Sequence, residues 1–92
     1  MMMAKFRKKP VVIEAIQFDG SSSGIDEIQR WMETGIYRRD EVRTRDGGRT
    51  FVIPTLEGEH VVSPGDWIIR GVAGEFYPCK PDIFAATYEP AE

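Results

Sequence analysis

The segment PGDWIIRGVAGEFYPCKP, residues 64–81, has the clearest pattern of strands and turns in the chain. Pro64 fixes φ at the second position of a turn, and Gly65 supplies the positive φ that such a turn uses. The turn GVAG separates DWIIR from EFYPC, two runs rich in the β-branched and aromatic residues that favour strands. We therefore predict two antiparallel strands joined by a tight turn.

Further strands are predicted on the N-terminal side of this segment. EVRTR and TFVIPTL flank DGG, a strong hairpin signal, and LEGE makes a turn before HVVS. Pro54 lacks an N–H group, so it predicts a bulge or an edge position in its strand. VVIEAIQF, residues 11–18, is interrupted by polar residues only at Glu14 and Gln17, which predicts a first strand covered on both faces.

One amphipathic helix is predicted from Ile25 to Glu33, where apolar residues recur at spacings of three and four. Ser22 or Ser23 suits its N-cap, and Gly35 can close it in a left-handed conformation. The apolar residues Trp31 and Met32 are expected to pack on the sheet.

A single helical turn is predicted within KPDIFAATYE near the C-terminus. Asp82 can cap this turn, and Phe84 lies four residues before Tyr88, close enough to pack against it. The fold class predicted is α+β: a small bent antiparallel sheet of about five or six strands with one packed helix.

The length of 92 residues predicts one domain, residues 10–92, behind a basic lead-in of residues 1–9. Strand edges would be exposed in so small a sheet, so pairing of edges into a homo-oligomer is expected.

The charge balance argues against nucleic acid and anionic membranes as partners. Twelve Lys and Arg residues stand against 15 Asp and Glu residues, a net charge of −3. No signal peptide is visible, and no run approaches the ~18 apolar residues that a membrane-spanning helix needs. One cysteine excludes an intramolecular disulfide and fits a reducing cytoplasm, so an intracellular, soluble protein is expected.

An arginine-rich segment is the first candidate binding site. YRRDEVRTRDGGR holds five arginines within twelve positions, and Arg43 and Arg45 share a strand face. The planar guanidinium group suits phosphate or carboxylate, which predicts an anion site. The alternative is a solvated hairpin in which Asp40, Glu41 and Asp46 neutralise the arginines.

The second candidate site lies in residues 66–77. Trp67 and Tyr77 offer rings for stacking, and Arg70 points outward or into a cleft. Asp66 either acts on a ligand or only bonds backbone amides at the exit of the SPGD turn. Trp67 and Ile69 are predicted on one face of their strand, and Arg70 on the other.

Catalytic and metal chemistry find little support in the sequence. Cys79 needs a base to act as a nucleophile, and the single histidine, His60, lies three segments earlier. Carboxylates are scattered singly rather than at metal-ligand spacings. No catalytic residue, metal or cofactor is therefore predicted.

The chain resembles a family of small bacteriophage and prophage proteins that share a PGD(Y/W) motif. The resemblance rests on KFRKKPVVIEAIQF, residues 5–18, and on VIPTLEGEHVVSPGDWIIRGVAGEFYPCKPDIFAATYE, residues 52–89, with a short helix between them. Trp67 and Ile68 stand where a PGDYG pattern has tyrosine and glycine, so no role of a tyrosine hydroxyl carries over. The resemblance implies a phage origin and a place in the host cytoplasm, and it supplies no catalytic residues.

Three functional hypotheses follow. The first is a non-enzymatic phage-encoded binding module that captures a small anionic, nucleotide-like ligand and so antagonises host defence. Its site would comprise the following residues: Arg43, Arg45, Asp66, Trp67, Arg70 and Tyr77. The alternative is a protein-interaction module that binds a host protein or a phage assembly; a small cysteine-dependent enzyme using Cys79 and His60 is third.

Overall fold

The computed structural model describes residues 3–5, 11–33, 43–45, 49–55 and 57–91. Within these residues the chain forms six strands and two helices, and every strand pair is antiparallel. In chain order they are β1 (Glu14–Gln17), α1 (Ser22–Met32), β2 (Arg43–Arg45), β3 (Thr50–Thr55), β4 (Gly58–Val62), β5 (Trp67–Arg70), β6 (Phe76–Cys79) and α2 (Pro81–Thr87). The predicted α+β class is confirmed.

The six strands are divided between two three-stranded sheets, ordered β1-β5-β6 and β2-β3-β4, rather than joined in one bent sheet. The turn between β4 and β5 explains the division. The N–H of Gly65 donates to the carbonyl of Phe18 at 2.8 Å, and the N–H of Phe18 donates to the carbonyl of Asp66 at 2.9 Å. Because these bonds tie the turn to the end of β1, β5 pairs with β1 and not with β4.

The first strand is shorter and less covered than predicted. β1 spans only Glu14–Gln17, while Val11 is 49% exposed and Val12 is 80% exposed. Within the described ranges β1 pairs with β5 alone, so it is an edge strand, and only Ala15 and Ile16 of its residues are even half-buried. The prediction of a strand covered on both faces is therefore wrong.

Helix α1 begins earlier than the apolar pattern indicates. Its N-cap is Ser21, one residue before the predicted candidates, and the Ser21 hydroxyl accepts from the N–H of Gly24 at 2.9 Å. Asp19 in turn accepts from the N–H and hydroxyl of Ser21, and these hydrogen bonds lower the pKa of Asp19. The predicted C-terminal residue, Gly35, lies outside the described residues.

One hydrophobic core joins α1 to both sheets. Its buried members are Phe18, Ile25, Ile28, Met32, Phe51, Ile53, Val62, Ile68 and Phe76. Trp31 packs against this cluster, with its ring centroid 5.2 Å from that of Phe76 on β6. Trp31 and Met32 thus pack on the sheets as predicted, and the core fixes the position of β5 and β6.

Pro54 lies in a regular part of the β3–β4 ladder, opposite Glu59, so no bulge occurs there. The described part of β2 pairs only with residues 50–52, so its ladder ends before Pro54. The edge alternative is thus the one that fits the described pairing.

Helix α2 is longer than the single turn predicted. Lys80 occupies the N-cap position without a side-chain capping bond, and Pro81 begins the helix. Asp82 therefore lies inside the first turn instead of capping it. None of the residues of α2 is buried, so the helix depends on contacts made by a few side chains.

Neither α1 nor α2, the helices of the described residues, is long and apolar enough to cross a membrane.

Candidate functional site

An open groove of about 610 Å³ lies on the outer face of the β1-β5-β6 sheet. One wall is formed by Val11, Val12 and Ile13, and the opposite wall by Phe84 and residues 87–91. Ala15 and Trp67 also line it. We call this feature the aromatic groove, since its lining includes the rings of Trp67, Phe84 and Tyr88.

The helical wall of the groove is held in place by three aromatic rings that contact one another. The rings of Trp67 and Phe84 stack with centroids 4.1 Å apart and 6° between their planes. The ring of Tyr88 lies 5.0 Å from that of Phe84, and its N–H donates to the Phe84 carbonyl at 2.9 Å. Together these contacts hold α2 and the chain after it against β5.

Tyr77 extends this arrangement towards β6. It lies opposite Ile69, and Cys79 lies opposite Trp67, so Tyr77 and Trp67 share a face of the sheet. Burial and a hydrogen bond with the Tyr88 side chain raise the pKa of Tyr77 to about 12, with further contributions from the charges of Tyr88, Glu75 and Cys79. The two rings predicted to offer stacking surfaces, Trp67 and Tyr77, thus lie on the same face of the sheet, which the sequence pattern did not indicate.

Asp66 is 3% exposed and is bound within the protein. Its carboxylate accepts from the N–H of Ser63 at 2.9 Å and from Nζ of Lys80 at 3.1 and 3.3 Å. These contacts fit the structural alternative, in which Asp66 bonds a backbone amide of the turn, although that amide belongs to Ser63 at the start of the turn rather than at its exit. Lys80, which connects β6 to α2, is a partner that the sequence pattern did not indicate.

Arg70 lies on the opposite face of β5 from Trp67, because successive side chains of a strand alternate between its two faces and these residues are three positions apart. It pairs with Glu14 across the β1–β5 ladder, with Nη1 and Oε1 3.5 Å apart. Arg70 is therefore not part of the aromatic groove.

The arginine-rich segment lies in the other sheet. Arg45 is exposed on β2, and Arg49 is exposed in the turn before β3. The side chain of Arg43 and the whole of Arg38 and Arg39 lie outside the described residues. The described part of the chain thus does not bring Arg45 into one sheet with Trp67 and Tyr77.

Cys79 and His60 line a common smaller cleft of about 350 Å³. The thiol of Cys79 donates to the Lys80 carbonyl at 3.6 Å. Burial, followed by the charges of Asp66 and Asp82, raises the pKa of the Cys79 thiol. Since the thiolate is the nucleophilic form, these surroundings make Cys79 less reactive.

Among the described residues, no three His, Cys, Asp or Glu side chains come together in a way that would hold a metal ion.

Phe84 and Tyr88 complete the groove, and their spacing of four residues was the only sequence signal for them. The exposure of Val11 and Val12 carried no such signal, because β-branched runs are typical of buried and exposed strands alike.

Comparison with protein-family models, with curated proteins and with solved structures finds no match to this chain, so its function has to be inferred from its own residues.

Proposed function

We propose that this protein is a non-enzymatic, phage-encoded binding module, and that it binds an extended segment of a host protein in the aromatic groove. The observation that carries the proposal is the groove itself, about 610 Å³ of open space with stacked rings on an outer sheet face. Grooves of this size lined by apolar and aromatic side chains are typical binding sites.

The neighbouring edge strand favours an extended partner. Within the described residues β1 is paired on one side only, by β5. The residues before it, Val11 and Val12, are exposed and line the groove. An extended peptide can add to such an edge through its main chain and place alternate side chains in the adjacent groove.

Charge indicates the chemistry of the partner segment. Glu89 is the charged side chain among the described residues that line the groove. With a net charge of −3 for the whole chain, a basic partner is favoured. The partner is therefore an apolar segment flanked by Lys or Arg.

A second candidate function is capture of a small anionic ligand by the arginines of β2. Arg45 is exposed there, and a guanidinium group binds phosphate or carboxylate well. Capture of a nucleotide-like ligand used in host defence would then depend on Arg43 and Arg45, away from the aromatic rings.

Capture from host lysate with a designed pair of variants tests the first proposal. Val12→Glu places a charge in the groove at a side chain that is 80% exposed, so the fold is expected to survive. Ile83→Glu is the matched control, because Ile83 is 56% exposed on α2 but does not line the groove. A stoichiometric partner held by the wild type and by Ile83→Glu, and lost with Val12→Glu, is expected.

Cross-linking mass spectrometry then identifies the captured segment, which should be apolar with basic flanks. Equal capture by all three proteins would show that the partner binds elsewhere and would exclude the aromatic groove as its site.

Native mass spectrometry of the gently purified protein tests the second candidate function. A retained small mass that disappears in Arg43→Glu/Arg45→Glu supports anion capture, whereas unchanged ligand affinity in that variant would exclude this site.

A further inference from the structure

A second cleft, of about 380 Å³, lies where the two sheets meet. Residues from the β3–β4 hairpin and from the start of β6 line it; those that matter here are Thr55, Glu57, His60, Glu75, Tyr77 and Pro78. We call it the sheet-junction cleft. None of the aromatic-groove residues named above lines it, so it is a separate site.

The hydroxyl groups of the cleft are already used within the protein. Thr55 donates from Oγ1 to the Gly58 carbonyl at 2.7 Å and accepts from the N–H of Glu57 at 3.1 Å, which shapes the turn. The Tyr77 hydroxyl interacts with the Tyr88 side chain, which contributes to its raised pKa. The groups left for an incoming ligand are therefore the carboxylates of Glu57 and Glu75, the His60 ring and the apolar surface.

Glu75 is the unusual member of this set. Its Oε2 is covered and accepts no hydrogen bond from the residues that the structure describes. Its Oε1 lies against Gly71, in the space that a Cβ there would fill. The charge of Glu75 also contributes to the raised pKa of Tyr77, which places the carboxylate near that ring. A covered carboxylate oxygen without a donor is costly, so the Glu75 carboxylate gains if it turns from Gly71 to meet a donor in the cleft.

We propose that the sheet-junction cleft binds a ligand carrying a primary ammonium or guanidinium group, with the cation on Glu75 and the attached carbon chain on Tyr77 and Pro78. Lys and Arg are absent from the described lining, while two carboxylates are present. Ammonium and guanidinium groups only donate hydrogen bonds, so they match acceptors that lack a donor. The Tyr77 ring adds a face on which a cation or its alkyl chain packs. The site is independent of the aromatic groove and of the partner proposed there.

Such a group has two sources, a free polyamine or the side chain of a protein, and the test uses a probe for each. Spermidine and Nα-acetyl-lysine methylamide are titrated separately into the isotope-labelled protein, and the amide resonances are followed by NMR. Saturable shifts that include His60 and Tyr77 are expected. Tighter binding of spermidine would identify a free polyamine as the ligand, and tighter binding of the lysine derivative would identify a protein side chain.

Glu75→Gln should weaken the tighter probe by about tenfold or more, since a charge-assisted hydrogen bond is lost. Glu27→Gln is the control, because it removes the same charge from an exposed position on α1 and should leave the affinity unchanged. Shifts that never saturate, or that weaken equally in both variants, would mean that the probes only sense the net charge and would overturn the proposal.

A second variant covers the case in which Glu75→Gln does not fold. Glu57 is exposed in the turn at the mouth of the cleft, so Glu57→Lys should fold while placing a cation beside the site. Loss of binding by about tenfold or more is expected from the like-charge repulsion. Unchanged affinity in folded Glu57→Lys would overturn the proposal.

Discussion

The indole ring of Trp67 and the phenyl ring of Phe84 lie parallel, with centroids 4.1 Å apart and planes 6° apart. This contact joins β5 to α2, a helix with no buried residue of its own. Because Phe84 also forms part of the groove wall, the stability of α2 and the shape of the aromatic groove depend on the same pair.

Loss of this stacking should uncouple α2 from the sheet. We expect Phe84→Leu to lower the free energy of unfolding, and a double-mutant cycle with Trp67→Leu to give a coupling energy of about 0.5–1.5 kcal/mol. Urea unfolding measures both quantities. Ile83→Ala, at the neighbouring exposed position, should change stability by less than about 0.5 kcal/mol. A coupling energy near zero would show that the two rings do not stabilise one another.

The carboxylate of Asp66 should matter more than its cationic partner. Asp66→Ala leaves the N–H of Ser63 without its acceptor at a buried position, so a loss of about 2–3 kcal/mol in the free energy of unfolding is expected. Lys80→Met should lower the free energy of unfolding by under about 1 kcal/mol. The Lys80 side chain is 59% exposed, so water can take the place of its ammonium group beside the Asp66 carboxylate. Equal losses for the two variants, measured by urea unfolding, would contradict this ranking.

The local elements were predictable because their signals are local. Runs of β-branched and aromatic residues punctuated by glycine and proline indicated the strands from Thr50 onwards, and the spacing of Ile25, Ile28 and Met32 indicated the buried face of α1. The division into two sheets was not predictable. It depends on hydrogen bonds between Phe18 and the turn at residues 63–66, which are far from Phe18 in sequence.

The candidate site was predictable to a similar degree. Strand alternation alone places Trp67 and Arg70 on opposite faces of β5, whereas the shared face of Trp67 and Tyr77 follows only from the β5–β6 register. Alternation cannot say which elements cover a face, so the contacts of Trp67 with Phe84 and of Tyr77 with Tyr88 required the structure.

The turn before α1 packs against the turn before β5, and two glycines allow a matched test of that contact. Gly20 has a φ of 87°, and a Cβ there would lie 3.0 Å from Cγ of Pro64; Gly58 has a φ of 111° and open space around it. Gly58→Ala should cost about 1 kcal/mol from the left-handed backbone alone. Gly20→Ala should cost more, because Pro64 must also move. Equal losses in thermal or urea unfolding would mean that the two turns separate easily.

Cys79 should react slowly with thiol reagents in the folded protein. Burial raises the pKa of its thiol, and the thiol donates to the Lys80 carbonyl, so little thiolate is present at neutral pH. The rate of modification by a chromogenic disulfide should therefore be lower than for the same protein unfolded in urea. A faster reaction in the folded state would revive the hypothesis that Cys79 is a nucleophile assisted by His60.

The Tyr77–Tyr88 contact should make stability depend on pH in the alkaline range. Burial and the hydrogen bond with Tyr88 raise the pKa of Tyr77 to about 12 in the folded protein, whereas tyrosine in an unfolded chain titrates near about 10. The unfolded chain therefore releases this proton first. The stability contributed by Tyr77 should be complete below about pH 10 and be lost as the pH rises towards about 12.

Tyr88→Phe tests the origin of this shift. It removes the hydrogen bond but keeps most of the burial, which is the larger cause, so the pKa of Tyr77 should fall while staying above its ordinary value. The tyrosinate ultraviolet absorbance follows the titration, and Tyr37→Phe in both proteins removes the third tyrosine from the signal. If Tyr77 titrates at the same pH with and without the Tyr88 hydroxyl, its pKa is raised by burial and by the charges of Glu75 and Cys79 without Tyr88. The link between β6 and the groove wall would then be apolar contact rather than a hydrogen bond.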